Sequence, residues 1–343
     1  MVASDAQTNA TNGLPSRSSI LVAAVRAFGS REPDECVRNP DSVADLLIGP
    51  SELALIREHP VSSGLMQDYE EASHNPAIVL FAGLMLRRTR FIDEALQTAV
   101  NACATQVVVL GAGFDTRAYR FRELLKHSRV IEVDAAPTQS YKKRRIQEVL
   151  PDLPTNVAYC SFDFAKDTLM DDLCRAGFKE DEKTFYIWEG VCMYLPEVAV
   201  RKTLETIASH SAPGSTLVLD YANHLGIELG RFTPNGAGGI PTPWGEPWVF
   251  GVPGATGAEF FRELGFDPGV PLSANSPEIT RRYGTRRDGT SYAAHVLEKL
   301  RTQAPTWTQA PTEAFLDAQK AVVAAGGAYW FTELTVMDRA TGH

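Results

Sequence analysis

The stretch from Val107 to Arg117 (VVVLGAGFDTR) constrains this chain more than any other. A β-branched apolar run breaks at Gly111-Ala112-Gly113 and passes through Asp115 into a helix-like sequence that opens on Thr116. Such a run reads as a strand buried on both faces, the kind from which parallel sheets are made. Gly111 and Gly113 tolerate positive φ and carry no side chain, so a ligand can lie on the backbone where the strand ends. Open α/β sheets form nucleotide-sized crevices at that point. A second strand, Val130-Ile131-Glu132-Val133-Asp134, ends in an acid 21 positions after Gly113. A carboxylate for ribose hydroxyls is expected at that interval. The third glycine of a dinucleotide fingerprint would fall at Asp115-Thr116, where none is present. The pattern G-x-G-x-D therefore favours an adenosine ligand without a pyrophosphate.

Beyond Thr105 the pattern alternates. Strands are expected at Gln106–Leu110, Arg129–Asp134, Val157–Phe162, Thr184–Trp188 and Thr216–Asp220. Helices are expected at Thr116–Lys126, Pro137–Val149, Thr168–Ala176 and Glu197–His210. Right-handed crossovers then place helices on both faces of a doubly wound, mostly parallel sheet. Upstream, 18–102 reads as a helical cap. It has short helices at Ser19–Phe28, Ser42–Ile48 and Leu65–Ala72, then Ala77–Ala102 as one long helix or two joined near Arg88-Thr89-Arg90. Residues 1–17 are polar and turn-rich and are expected to be disordered. The remainder, 103–343, forms the α/β domain. Within it, about 222–256 reads as a lid insertion centred on Pro241-Thr242-Pro243-Trp244-Gly245-Glu246-Pro247-Trp248. Later elements are helices at Ala258–Leu264 and Ser291–Arg301 and a terminal strand at Ala328–Met337.

Composition excludes several functions. A formal charge of −9 argues against nucleic acid as a partner. The apolar run Ile20 to Ala27 is interrupted by Arg26, is too short to span a bilayer and lacks a signal-peptide layout. Five cysteines without a C-x-x-C pair read as packed, reduced thiols of a cytoplasmic protein. The seven histidines show no metal-ligand spacing, so no metal is expected.

Acids recur at successive strand ends: Asp134, Asp163, Glu189 and Asp220. Any one of them is as easily a helix or turn cap as a ligand contact. Together they favour a ligand that brings hydrogen-bond donors or positive charge. S-adenosylmethionine brings ribose hydroxyls, an exocyclic amine, an ammonium and a sulfonium, so it suits an acidic rim better than a phosphate-bearing cofactor does.

Four segments resemble the leucine carboxyl methyltransferase family: Leu86-Arg87-Arg88-Thr89-Arg90-Phe91-Ile92-Asp93, Val109 to Arg117, Ile131-Glu132-Val133-Asp134, and Trp188-Glu189-Gly190-Val191-Cys192-Met193-Tyr194-Leu195. The likeness runs from about Ile20 to Asp220 and is nearest to the bacterial and fungal polyketide O-methyltransferases of the tetracenomycin-pathway type. It implies a Rossmann-like S-adenosylmethionine-dependent methyltransferase fold with an N-terminal helical extension and a C-terminal lid insertion. It also implies site roles. Arg88 would pair with the methionyl carboxylate, and Arg26 would assist at the same end. The backbone of Gly111 and Gly113 would pack against the cofactor, Asp134 would hold the ribose, Asp163 and Phe164 would receive the adenine, and Glu189 would sit near the ammonium. Glu132 reads as structural, although it shares a strand face with Asp134. No catalytic residue is assigned. His224 is a candidate base, and Tyr194 and Tyr221 are candidate substrate contacts, but a surface histidine and packed tyrosines are the stronger readings. The expected activity is O-methylation of a small molecule at a carboxylate or phenol. The rivals are methylation of a protein C-terminal carboxylate and a non-catalytic cofactor-binding protein. Oligomeric state has no signature here.

Overall fold

A computed structural model describes residues 14–56, 60–65, 67–164, 169–230, 246–302 and 313–338. Its centre is one sheet of eight strands: β1 (Gln106–Leu110), β2 (Arg129–Asp134), β3 (Val157–Ser161), β4 (Thr184–Trp188), β5 (Thr216–Ala222), β6 (Phe266–Asp267), β7 (Leu272–Ser273) and β8 (Tyr329–Val336). The order is β3-β2-β1-β4-β5-β8-β6, with β7 also paired to β8. Strands β1 to β5 run parallel, and β8 returns antiparallel between β5 and β6. Every residue of β1 and β4 is buried, because helices cover both faces. The strand order reverses between β1 and β4, which is where an open sheet of this kind leaves a crevice at its carboxyl edge. This is the Rossmann-like methyltransferase architecture expected from the sequence.

Two helices bring charged side chains to that edge. Arg17–Ser30 is capped by Ser16, whose hydroxyl accepts from the Ser19 N–H (3.3 Å). Glu246 reinforces the same end from far along the chain, accepting from Ser16 Oγ (3.1 Å) and from the N–H groups of Arg17 (3.2 Å) and Ser18 (3.4 Å). The second helix, Pro76–Asn101, starts with Asn75 as cap and Pro76 at its first turn, and it is continuous through Arg88-Thr89-Arg90. Its apolar stripe, including Ile78, Ala82, Met85, Leu86, Ile92 and Leu96, packs into the core on one face of the sheet.

Several expectations are corrected. Thr116–Lys126 forms two short helices, Arg117–Arg120 and Arg122–Leu125, interrupted at Phe121, whose ring lies 4.9 Å beneath the Arg120 guanidinium. Leu65–Ala72 divides into Pro60–Leu65 and Tyr69–Ala72. His224–Gly230 is a helix rather than the start of a long loop, because the Asn223 side chain caps the Gly226 N–H (2.9 Å). Of the expected lid, 231–245 lies outside the described residues; Val252 pairs with the end of β5 at Asn223. Of the stretch expected to be disordered, 1–13 lies outside the described residues, while Ser16 is the cap noted above. Helices at Pro50–Ile56, Pro277–Tyr283 and Glu313–Ala324 were not foreseen. No disulfide joins the five cysteines, but only Cys160 and Cys192 are packed; Cys36, Cys103 and Cys174 are exposed. Among the described residues no helix is long and apolar enough to cross a membrane, and no His/Cys/Asp/Glu group could hold a metal ion.

Candidate functional site

The glycine turn after β1 is built as its sequence requires. Gly111 and Gly113 have φ of +64° and +45°. A Cβ on Gly111 would lie 2.4 Å from Val191 Cγ2, so the turn leaves no room for a side chain there. Asp134, half-buried at the end of β2, accepts a short hydrogen bond from the Gly113 N–H and another from Ala135 (2.6 Å). Its carboxyl pKa is raised: burial outweighs the two N–H donors. Glu132, one residue pair earlier on the strand, is buried against Lys142 Nζ (2.7 Å), which makes it structural.

A buried ion network lies beside the turn. Four guanidiniums, Arg26, Arg88, Arg117 and Arg120, meet five carboxylates, Asp41, Asp93, Asp115, Glu189 and Asp220. Glu189, just past β4, is the hub. It faces Arg117 (2.6 Å), Arg88 (2.8 Å) and Arg26 (3.6 Å). Burial would raise its pKa, but Arg117, Arg88 and Arg26 outweigh that and hold it far below the usual carboxylate range. Arg26 also donates to the Phe114 carbonyl (2.7 Å), which ties the network to the glycine turn. Arg88 stays cationic: burial works against its charge, and Glu189 and Asp220 reverse the balance. Past the end of β3, Phe164 stacks on Trp188 (6.2 Å, 20° between planes) and meets Phe162 edge-on (5.0 Å). Asp163 follows β3 and is partly exposed.

All eight expected cofactor residues therefore gather along the carboxyl edge of the sheet, but the acidic-rim argument needs correction. Glu189 and Asp220 do not wait for a positively charged ligand, because the chain supplies its own arginines. The sequence reading also missed Asp41, Asp93, Asp115, Arg117, Arg120 and Tyr329. Asp93, Asp115 and Arg117 stand inside the segments that carry the family likeness, so their recurrence there was the available signal. Tyr329 lies on β8, where no motif marks it. Arg90 donates to the carbonyls of Glu35, Cys36 and Arg38, holding a loop rather than a ligand. Tyr221 is buried and donates to the Thr256 carbonyl, so it packs as the alternative reading had it. A cleft of about 290 Å³ near Glu205, Ala208 and Gly265 lies at the opposite edge of the sheet, away from these groups.

The residues present fit S-adenosylmethionine. The glycine turn gives bare backbone, Asp134 ends β2 beside that turn, and Arg88 Nη2 has neither a hydrogen-bond nor an ion-pair partner among the described residues. The sheet order is that of S-adenosyl-L-methionine-dependent methyltransferases, and S-adenosyl-L-methionine is the cofactor of that class. The leucine carboxyl methyltransferase family model matches residues 19–208, more than half of the chain, and the chain belongs to that family. It is 29% identical over 218 residues to YktD of Bacillus subtilis, covering 61% of this chain and 71% of that protein. It is 32% identical over 240 residues to a Streptomyces coelicolor protein, covering 69% and 77%. A Mycobacteroides abscessus protein is 32% identical over 216 residues, covering 63% and 67%. All three are named provisionally as S-adenosyl-L-methionine-dependent methyltransferases.

Proposed function

We propose that the chain transfers a methyl group from S-adenosyl-L-methionine to a carboxylate or phenolic oxygen of a small molecule, with a polyketide or another aromatic natural product as acceptor. The observation that carries this reading is an aromatic wall reaching the cofactor arginine. Tyr194 meets Trp248 edge-on (6.4 Å), Trp248 stacks on Tyr329 (5.7 Å, 30°), and the Tyr329 hydroxyl touches Arg88 and Asp220. Aromatic faces of this kind favour flat, apolar acceptors. The Trp248 indole N–H is buried with no hydrogen-bond partner among the described residues, a donor left for a ligand oxygen.

When bound, the cofactor supplies a methyl group activated on a sulfonium. The chain's residues provide placement. In this reading Arg88 and Glu189 hold the amino-acid end, Asp134 holds the ribose, and Asp163 and Phe164 receive the adenine. Alignment at a near-attack separation of roughly 3–3.5 Å accounts for much of the rate in such displacements. A carboxylate acceptor is ionised at neutral pH and needs no base, whereas a phenol of pKa about 10 gains from one. His224 heads the helix after β5 with a buried Nδ1 that has no hydrogen-bond partner among the described residues, and it is the candidate to take that proton.

Incubating the protein with isotope-labelled S-adenosylmethionine and a cell extract, followed by mass spectrometry, tests the reading. A labelled methyl ester or aryl ether on a small molecule is expected. Label on a protein C-terminus would replace the acceptor class. Cofactor binding with no transfer to any acceptor would overturn the activity.

A further inference from the structure

Tyr329 lies beyond the residues that the family model matches, yet it touches the centre of the site. Its ring is held from two sides. Trp248 stacks on it, and Phe331 meets it edge-on (6.0 Å, 87°); Phe331 in turn stacks on Phe91 (5.5 Å, 25°), one helical turn from Arg88. The hydroxyl closes a ring of three polar groups. Arg88 Nη1 donates to the Tyr329 oxygen (3.1 Å) and to Asp220 Oδ2 (3.0 Å), and the Tyr329 hydroxyl donates a short bond to that same Asp220 oxygen. The other oxygen, Asp220 Oδ1, accepts from the Gly190 N–H (2.6 Å). The directions are forced: arginine has only donors, so the tyrosine oxygen must accept, and its own hydrogen turns to the carboxylate.

The consequence concerns Arg88. Glu189 holds Nε as an ion pair (2.8 Å), while Tyr329 and Asp220 hydrogen-bond Nη1. A guanidinium is planar, so pinning two of its nitrogens fixes the direction of the third. Gly190, at φ +68°, keeps the approach clear, since a Cβ there would come within 3.2 Å of Nη1. We propose that Tyr329 is a positioning residue for the cofactor: with Asp220 it aims Arg88 Nη2 at the methionyl carboxylate. This rests on the reading of Arg88 as the carboxylate anchor. A tyrosine that only packs the sheet would make the same ring contacts without needing its hydroxyl.

Tyr329→Phe keeps the ring and removes the hydroxyl alone. The test is calorimetry with S-adenosylhomocysteine and with 5′-methylthioadenosine, which lacks the amino-acid end, on wild type, Tyr329→Phe, Arg88→Lys and the double variant. Loss of aim at one charge-assisted bond should weaken S-adenosylhomocysteine roughly five- to twenty-fold in Tyr329→Phe and leave 5′-methylthioadenosine within about twofold. Because Tyr329 acts through Arg88, the double variant should lose little beyond Arg88→Lys. Equal losses for both ligands in Tyr329→Phe, no loss for either, or losses that add in the double variant would each overturn the proposal. If Arg88→Lys affects both ligands alike or neither, the anchor reading itself falls, and the proposal with it.

Discussion

Replacing Arg117 with methionine should expose how far the site's charges depend on one another. Arg117 pairs with Asp93 (2.7 Å), Glu189 (2.6 Å) and Asp115, and its side chain is only 3% exposed. Methionine keeps much of the volume and removes the charge. Asp93 retains Arg120 (2.9 Å), and Glu189 retains Arg88 and Arg26, but Asp115 has no second guanidinium within ion-pair distance among the described residues. One buried pair is therefore broken outright and two are weakened, so the single-pair figure applies: a loss of about 4 kcal/mol from the usual 3–5. For a chain of this size that is roughly 5–6 °C in Tm. The effect has a pH signature. Arg117 holds the pKa of Glu189 below 4.5 and that of Asp115 below 3.8, against burial, which would raise both. A carboxylate depressed in the fold contributes stability above its unfolded pKa and loses it as pH falls toward the folded value. The variant lacks that contribution, so its deficit should be constant from pH 7 to about 5 and shrink below about 4.5. Urea unfolding at pH 7, 5 and 4 measures it. A deficit under about 1 kcal/mol at pH 7, or one that grows on acidification, would refute the argument.

Three further outcomes are expected. Asp134→Ala should weaken S-adenosylhomocysteine and 5′-methylthioadenosine alike, because both carry the ribose, by about 1.5–3 kcal/mol or roughly 10- to 150-fold in Kd; unchanged calorimetric affinity would remove Asp134 from the ribose position. Gly111→Ala should cost about 1–2 kcal/mol for its left-handed backbone alone, plus the collision with Val191; adding Val191→Ala should recover only the steric part in thermal melts, and full recovery would deny the backbone cost. Lys142→Met should lose about 3–5 kcal/mol by stranding buried Glu132, and Glu132→Leu in the same chain should restore most of it; a stable single variant would show that the pair is not needed.

What could be read from sequence followed from how local the cause was. β1 and β4 match their expected limits because a buried parallel strand announces itself as a near-continuous apolar run, and β2 matches although Glu132 interrupts its run. Gly111, Gly113 and Asp134 were legible because chain geometry fixes their spacing. Arg88 and Arg26 looked like ordinary helix arginines, and only the family likeness raised them above a solvated face. Their actual burial depends on three carboxylates, Asp41, Glu189 and Asp220, brought from separate parts of the chain, which no window of sequence contains. Tyr329 was hidden for the same reason: its partners Arg88 and Asp220 lie 241 and 109 positions away. The two-residue strands β6 and β7 were missed because two residues establish no alternation.

The position of β8 has a consequence for how this chain reaches its final state. It fits between β5 and β6, both made before it, so the sheet cannot be zipped up in the order of synthesis. Its seven-residue register with β5, from Thr216 opposite Thr335 to Ala222 opposite Tyr329, joins segments more than a hundred positions apart, the kind of remote pairing that slows folding. Until it forms, β5 has an open edge and Arg88 lacks its tyrosine. A ligand that requires the finished cradle would then report on assembly of the whole chain, and at a hundredfold excess over Kd it would protect that chain from unfolding and proteolysis by about 2.7 kcal/mol.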